Sequence, residues 1–373
     1  MQGKSASLSK LALQRFKKNF WGVFSFGFIL GMSFLAIFAY AFAPDNSQNA
    51  NQMALPIHSK SPGFSVKTIR IPISNSVEQK SQSWLSELFI GKKEVAQIYP
   101  VEDYSFKNDT LYYQVYGAAS RDLKANQFFL LHEDFKGENP QQIESEYIQT
   151  KHFWLGTDRY GRDLLSRMLV GIRVSLSIGF VAVFISLFIG ISLGAIAGYF
   201  GGKVDAGIMW LINVTWSIPT LLLVIAISLA LGKGFWQVFI AVGLTMWVEV
   251  ARIVRGQVKS VKEMQYITAA HALGYGNFRI IYKHILPNVL APVIVISAAN
   301  FAAAILIESG LSFLGIGAQP PTPSWGAMIK DHYAYIVMGK AYLAIIPGLA
   351  IMSLVMTFML VGNALRDALD VNE

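Results

Sequence analysis

The sequence predicts an all-α polytopic membrane protein of six transmembrane helices, with a strand-containing insertion between the first and the second. Three observations lead there. Of 373 residues, 53% are hydrophobic and only 14% charged, against about 25% charged in an ordinary soluble domain. The apolar residues gather into six runs near the length of ~20 residues that a helix needs to cross the hydrocarbon core. Between the first two runs, from Pro44 to Thr150, the composition turns polar and locally alternating.

The first run, Phe20 to Phe42 within a segment 20–43, follows a basic stretch (1–19) carrying Lys10, Arg15, Lys17 and Lys18. Basic residues beside a span mark its cytoplasmic end. The run closes on Ala39-Tyr-Ala-Phe-Ala43, a pattern that also suits signal-peptide cleavage. The apolar region of a signal peptide is about 7–15 residues, and this one is longer, so it is read as a true span. The others run from Val174 to Tyr199, Gly207 to Leu231, Phe235 to Val250, Val289 to Ile307 and Leu343 to Leu365. The fourth is short and is expected to borrow residues beyond its ends. Pro219 predicts a kink in the third. Helices are expected because a lone strand in lipid leaves its backbone groups unpaired.

Threading six spans from a cytoplasmic start puts both termini inside, together with residues 252–288. That loop holds Arg252, Arg255, Lys259, Lys262, Arg279 and Lys283 against the single acid Glu263. One segment opposes this threading. Lys151, Arg159, Arg162, Arg167 and Arg173 fall outside, just before the second span, and acids such as Asp158 and Asp163 count little in the positive-inside rule.

The insertion, residues 44–150, opens with the polar linker PDNSQNANQ. Later stretches, SVKTIRIPI from Ser65 and DTLYYQVYG from Asp109, alternate with the period of half-buried strands. A folded, strand-rich extracytoplasmic domain is expected, with a long mobile loop as the plain alternative.

Residues 265–288, QYITAAHALGYGNFRIIYKHILPN, form a polar hairpin between the fourth and fifth runs. Met264 to Leu273 reads as a short helix ended by Gly274, which accepts the left-handed conformation. Asn277 to Ile285 reads as a second, and Pro287 disfavours the α conformation at Leu286, breaking the chain before the fifth span. Thr268, Ala269 and Ala270 are small and allow another surface to come close. An ordinary loop resting on the membrane is the alternative.

The hairpin resembles the EAA loop of bacterial ABC importer permeases through Ala269, Ala270, Gly274, Leu286 and Pro287. The family's leading Glu stands here as Thr268, which removes any salt bridge that Glu would make. Trp154 to Leu176, WLGTDRYGRDLLSRMLVGIRVSL, and Glu308 to Ile329, ESGLSFLGIGAQPPTPSWGAMI, are similar to segments of the dipeptide and oligopeptide (and nickel) permeases of the second-subunit type. The resemblance covers residues 151–370, a permease core of five spans, plus the first span by position. It implies a fold of the type I ABC importer kind, with loop 264–288 coupling the pore to its ATPases. It also implies a peptide cargo and a multi-pass place in the bacterial inner membrane. The implied partners are a second homologous permease, two ATP-binding subunits and an extracytoplasmic solute-binding protein.

The residues themselves carry further expectations. Arg162, Arg167 and Arg173 suit a helix lying in the membrane interface with its arginines at the head groups, a structural cuff for the pore, or substrate contact. Trp325, after Pro320, Pro321 and Pro323, suits an aromatic anchor at the membrane boundary. Glu249 is spaced to pair with Arg252. Glu308 ends the fifth run near enough to water to reach it. A phosphate-cradling loop is missing, since Gly202-Lys203 is followed by Val204. HExxH and GxSxG are missing too, cysteines number zero, and the six histidines lack ligand spacing. The chain is therefore expected to hold no catalytic residue, cofactor or metal, with ATP bound by partner subunits. Its net charge of +8 flanks apolar runs, which points to membrane lipid and not to nucleic acid. A secondary transporter would need ion-coupling groups at mid-membrane, and a membrane-embedded enzyme would need one of the missing constellations.

Overall fold

The computed structural model describes residues 8–72, 83–93, 96–108, 110–118, 126–130, 135, 139–232 and 234–369. The outermost parts of both expected cytoplasmic termini, and Ile73 and Asp109 of the expected strands, lie outside them. Two compact units are present: residues 1–33, 175–319 and 348–373 form one, and residues 34–174 with 320–347 the other.

In the helical unit, α1 (Leu8–Lys18) carries the basic run and α2 (Phe20–Ile37) is the first span. The second span belongs to α6 (Leu164–Phe200), which begins well before Val174. Residues 164–173 are thus the start of one continuous helix and not a separate interfacial one, because no proline interrupts the run after Asp163. The expected third span is α7 (Gly202–Trp216) and α8 (Thr220–Leu231), meeting at 91°. This is a break and not the kink expected. Pro219 lacks an N–H and drives Ile218 away from the helical region; it stands extended, with ψ 125°, at the head of α8. Among the described residues, five helices are long and apolar enough to cross a membrane, or six if this bent pair is one span.

The fourth span is α9 (Phe235–Lys262), which borrows Ala251 to Lys262. It is the most buried of the five. Gly190, Gly194 and Gly198 on α6 recur every fourth residue and so share one face. A β-carbon added at any of them would stand 2.5–2.8 Å from Val250, Ala251 or Arg255 of α9. Small residues at this spacing let helix backbones close together in a membrane. The stripe thereby seats Val250, Val254 and Val258 in a core with Ala195 and Tyr199.

After a short hairpin comes a helix running unbroken from Asn277 to Leu314: α11 (Asn277–Ile280), a π-helical turn (Ile281–Ile285) and α12 (Leu286–Leu314). The break expected at Pro287 does not occur. Leu286 is helical (φ −55°, ψ −40°), and its N–H reaches back five residues to the Ile281 carbonyl. The widened turn changes the register in which the proline ring meets the preceding turn, so the helix passes through. The last span, α14 (Tyr342–Leu369), meets α12 through stacked Phe301 and Phe358, 4.2 Å apart. Glu308 is buried in α12 and accepts a hydrogen bond from Ser312 Oγ at 2.6 Å, away from the water-reaching position expected.

The second unit is built on a five-stranded antiparallel sheet, ordered β4-β3-β2-β1-β5. Its strands are β1 (Phe64–Pro72), β2 (Ala96–Lys107), β3 (Thr110–Val115), β4 (Asn126–Leu130) and β5 (Ile148–Phe153). Register pairs Ile69 with Tyr99 and with Ile148. One face buries Ile69, Ile71, Val101, Leu111 and Tyr113 with Phe135 and Ile143. The expected linker is ordered at its start: the Asp45 carboxylate accepts from the backbone N–H of Ser47 and Gln52 at 3.0 and 3.1 Å. Two short helices, α3 (Ala39–Phe42) and α4 (Trp84–Ile90), pack together, and α5 (Pro140–Tyr147) lies before β5.

The same unit holds the arginines. Asp158 is fully buried; it accepts Arg162 Nε at 2.7 Å and the N–H groups of Tyr160 and Arg162 at 2.8 and 3.0 Å, with Arg167 Nε at 3.7 Å. Arg162 and Arg167 are buried too, so they brace this unit from within and do not reach for head groups. Arg173 lies over the Tyr40 ring at 5.2 Å. Trp325 is no boundary anchor. It opens α13 (Trp325–His332), is wholly buried against Gly171, and donates its indole N–H to the Met168 carbonyl at 3.1 Å.

Candidate functional site

Residues 263–288 build a hairpin on the end of α9. Met264 is extended and starts α10 (Gln265–Ala272). That helix ends where Gly274 turns left-handed (φ +76°). The Gly274 N–H then reaches the His271 carbonyl at 2.9 Å, and the Tyr275 N–H reaches Ala270 at 3.2 Å. This double closure is the Schellman ending that a glycine at this position permits, and it reverses the chain into α11.

One stripe of the hairpin is buried. Ile267, Ala270, Ile280, Ile285 and Val289 join Val258 and Val261 of α9 in a single core. Tyr199, at the end of α6, ties the two arms: its hydroxyl donates to Asn277 Oδ1 at 2.8 Å and lies 3.4 Å from His271 Nε2. Lys262 donates to the Tyr199 carbonyl at 2.6 Å. Tyr275 stacks on His284, and Arg279 lies over Tyr275 at 4.2 Å. On the neighbouring turn Asp205 of α7 is held by Arg255, through Nη2 at 2.7 Å, and by Lys259 at 2.7 Å. Arg252 does not pair with Glu249; it lies over the Trp216 ring at 3.7 Å and donates to Asn213 Oδ1 at 3.3 Å.

The structure divides the residues singled out in the sequence. Ala270 is 4% exposed and belongs to the chain's own core, while Thr268, Ala269 and Gly274 lie on the outer side. Leu286 is half-buried against the same core and Pro287 is exposed. Neighbouring helical residues differ by about 100° in direction, so Ala269 and Ala270 cannot share one surface. The sequence reading missed the outward crest. Leu273 is 71% exposed, Phe278 81% and Tyr282 64%, and the last two stack on one another at 6.3 Å. Their signal was available: each is a large apolar or aromatic residue off the stripe of Ile267, Ala270, Ile280 and Ile285. No cluster of three or more histidine or acidic side chains suited to a metal occurs among the described residues. The arrangement presents an exposed apolar crest on a packed support.

Two family models match the chain. Residues 190–371 match the binding-protein-dependent transport system inner membrane component, and residues 7–60 match the N-terminal transmembrane domain of oligopeptide transport permease C. The chain is similar to the dipeptide transport system permease protein of Alkalihalophilus pseudofirmus, with 43% identity over 58% of this chain and 71% of that protein. It is similar to the glutathione transport system permease protein of Pectobacterium atrosepticum, with 40% identity over 58% and 72%. The oligopeptide transport system permease protein of Bacillus subtilis is 38% identical over 61% and 74%. A solved chain of an inward-facing methionine ABC transporter aligns with a TM-score of 0.43 and 19% identity, over 54% of this chain and 95% of that one.

Proposed function

We infer that this chain, which belongs to the binding-protein-dependent transport system inner membrane components, forms one half of the membrane pore of a bacterial ABC importer. Two ATP-hydrolysing subunits drive it, a second permease completes the pore, and an extracytoplasmic binding protein delivers a peptide-like cargo. The cargo class follows the dipeptide, oligopeptide and glutathione permeases to which the chain is similar.

The observation that carries the coupling role is the crest of Leu273, Phe278 and Tyr282 held above a buried stripe. Exposed apolar residues on a rigid support mark a protein partner. Ala269 and Gly274 let that partner's surface come close. The second arm of the hairpin is the start of the helix Asn277–Leu314, so a push at Phe278 travels along one rigid element into the membrane. Ile267 and Ala270 pass the same push to α9 through a packed core, which transmits strain because it is close-packed. The cytoplasmic place of the hairpin fits its basic residues. The arginines that opposed this threading are in part accounted for, since Arg162 and Arg167 are buried with Asp158 and present little free charge. The test is co-purification of the ATP-binding subunits with the tagged chain: Leu273→Asp with Phe278→Asp is expected to insert normally and lose them.

A further inference from the structure

The unit built on the sheet holds a feature that the transport reading leaves unused. α4, with the sequence WLSELFI, exposes Trp84 at 72% and also Leu85, Phe89 and Ile90. It packs on α3, with the Gly91 backbone set against the Tyr40 ring where a β-carbon would stand only 2.8 Å away. α3 continues the aromatic ladder Phe34, Phe38 and Phe42 at the close of the first span, and Phe34, Ile37 and Phe42 are exposed as lipid-facing residues are. The apolar face of α4 is therefore an extension of a lipid-facing surface.

Two cavities adjoin that face and share Asn46 and Lys92. The smaller, about 240 Å³, is lined by Tyr40, Trp84 and Leu88 together with Glu87, whose carboxylate lies 3.8 Å from Lys92 Nζ. The larger, about 390 Å³, is lined by Arg70, Lys151 and His152, and among the described residues no carboxylate lines it. Thr68, Arg70, Gln149 and Lys151 reach it from one face of β1 and β5, where Thr68 pairs with Gln149. Lys151 donates to Gln52 Oε1 at 3.3 Å. Burial pulls its ammonium pKa below the ordinary lysine value, and Asp45 and Asp163 offset this in part. An anion seated there would favour its charged form.

We propose that the larger cavity, with the helix face beside it, binds an anionic phospholipid, its acyl chains along α3 and the apolar face of α4 and its phosphate among Arg70, Lys151 and His152. An exposed apolar helix face beside a basic cavity fits an amphiphile of that charge. The proposal rests on reading Phe20–Ile37 as a membrane span, but not on the cargo or the ATPase contact.

The test uses the full chain with its co-expressed partners, in phosphatidylcholine nanodiscs containing a minority of phosphatidylglycerol. Native mass spectrometry of the released complex is expected to find phosphatidylglycerol retained in preference to phosphatidylcholine. Removing two cations with Arg70→Gln and Lys151→Gln should lower that retention about thirtyfold, and Arg70→Lys with Lys151→Arg should keep it. Because the chain has no cysteine, Leu85→Cys can carry a single fluorophore. Quenching of that label by nitroxide lipid, and protection from aqueous iodide, support the proposal. Equal retention of the two lipids overturns it, as does an iodide-accessible label. Displacement of the bound anion by inorganic phosphate with no lipid preference makes the site one for soluble anions, and also overturns it. Normal ATPase co-purification in the Gln variants keeps this outcome separate from the transport reading.

Discussion

Ala269 and Ala270 stand side by side in the sequence and face different surroundings. Ala270 is packed with Ile267 and Val258, whereas Ala269 lies outside. Ala270→Trp is therefore expected to damage the hairpin's own seat, at about 1–3 kcal/mol for overfilling a packed site. Ala269→Trp should leave thermal stability unchanged and weaken only the hold on the ATP-binding subunits. Melting curves and pull-downs on both variants check this; equal melting temperatures for the two would contradict the assignment. His332 supplies a pH prediction. Its Nδ1 lies 2.7 Å from the Met328 carbonyl, and its Nε2 accepts from the Arg159 N–H at 3.4 Å. Burial lowers its pKa, with Arg159 acting the same way, while Met328, Asp158 and Asp331 oppose. The unfolded chain thus takes up a proton first, and stability falls as pH drops through about 6.5. Wild type should lose more melting temperature between pH 7.5 and 5.5 than His332→Gln does. At this scale the sequence shows which hairpin residues are small but not which way they face, because direction depends on which stripe the core claims. Trp325 was misread for the same reason: tryptophan suits both a membrane boundary and a buried slot, and only Gly171 and Met168 decide between them.

Elements were legible where hydropathy alone decides them. The helices at the second, fourth, fifth and sixth runs all outlast the apolar stretches that announced them. Hydropathy marks what lies in lipid, while a helix continues until something breaks it. Pro219 and Pro287 show how far a single residue rule reaches. At Pro219 the rule understated the outcome, a 91° break; at Pro287 it overstated it, because a π turn gives the chain another register. The Gly190, Gly194 and Gly198 stripe was in the sequence as a four-residue repeat, but it needed α9 opposite to give it meaning. Gly194→Leu should force α6 from α9, since a β-carbon there already stands 2.5 Å from the Ala251 carbonyl. A drop of several degrees in melting temperature in detergent, with loss of assembly, is expected; Gly207→Ala, facing open space, is the control. At the hairpin, Gly274→Val should cost about 1–2 kcal/mol through its left-handed backbone and loosen the turn without filling any contact.

At the scale of the whole molecule, the family and the structure meet in the permease chain of an ABC importer. The strands of the insertion were visible in SVKTIRIPI and DTLYYQVYG because half-buried strands alternate. Its basic cavity was not, because Arg70, Lys92 and Lys151 converge only after the sheet folds. Orientation is open to direct test, since the chain lacks cysteine. A single cysteine at Glu87 should react with an impermeant maleimide from outside whole cells, and one at Tyr282 only after the membrane is opened. The central claim is that the crest of loop 264–288 is where the ATP-binding subunits seat. Site-directed cross-linking from a photoreactive residue at Leu273, in the co-expressed complex, tests it most directly. A cross-link to an ATP-binding subunit is predicted, lost when Phe278→Asp is added. A label at Leu273 that couples only to lipid, or to nothing, in a complex that still hydrolyses ATP and transports would contradict the account.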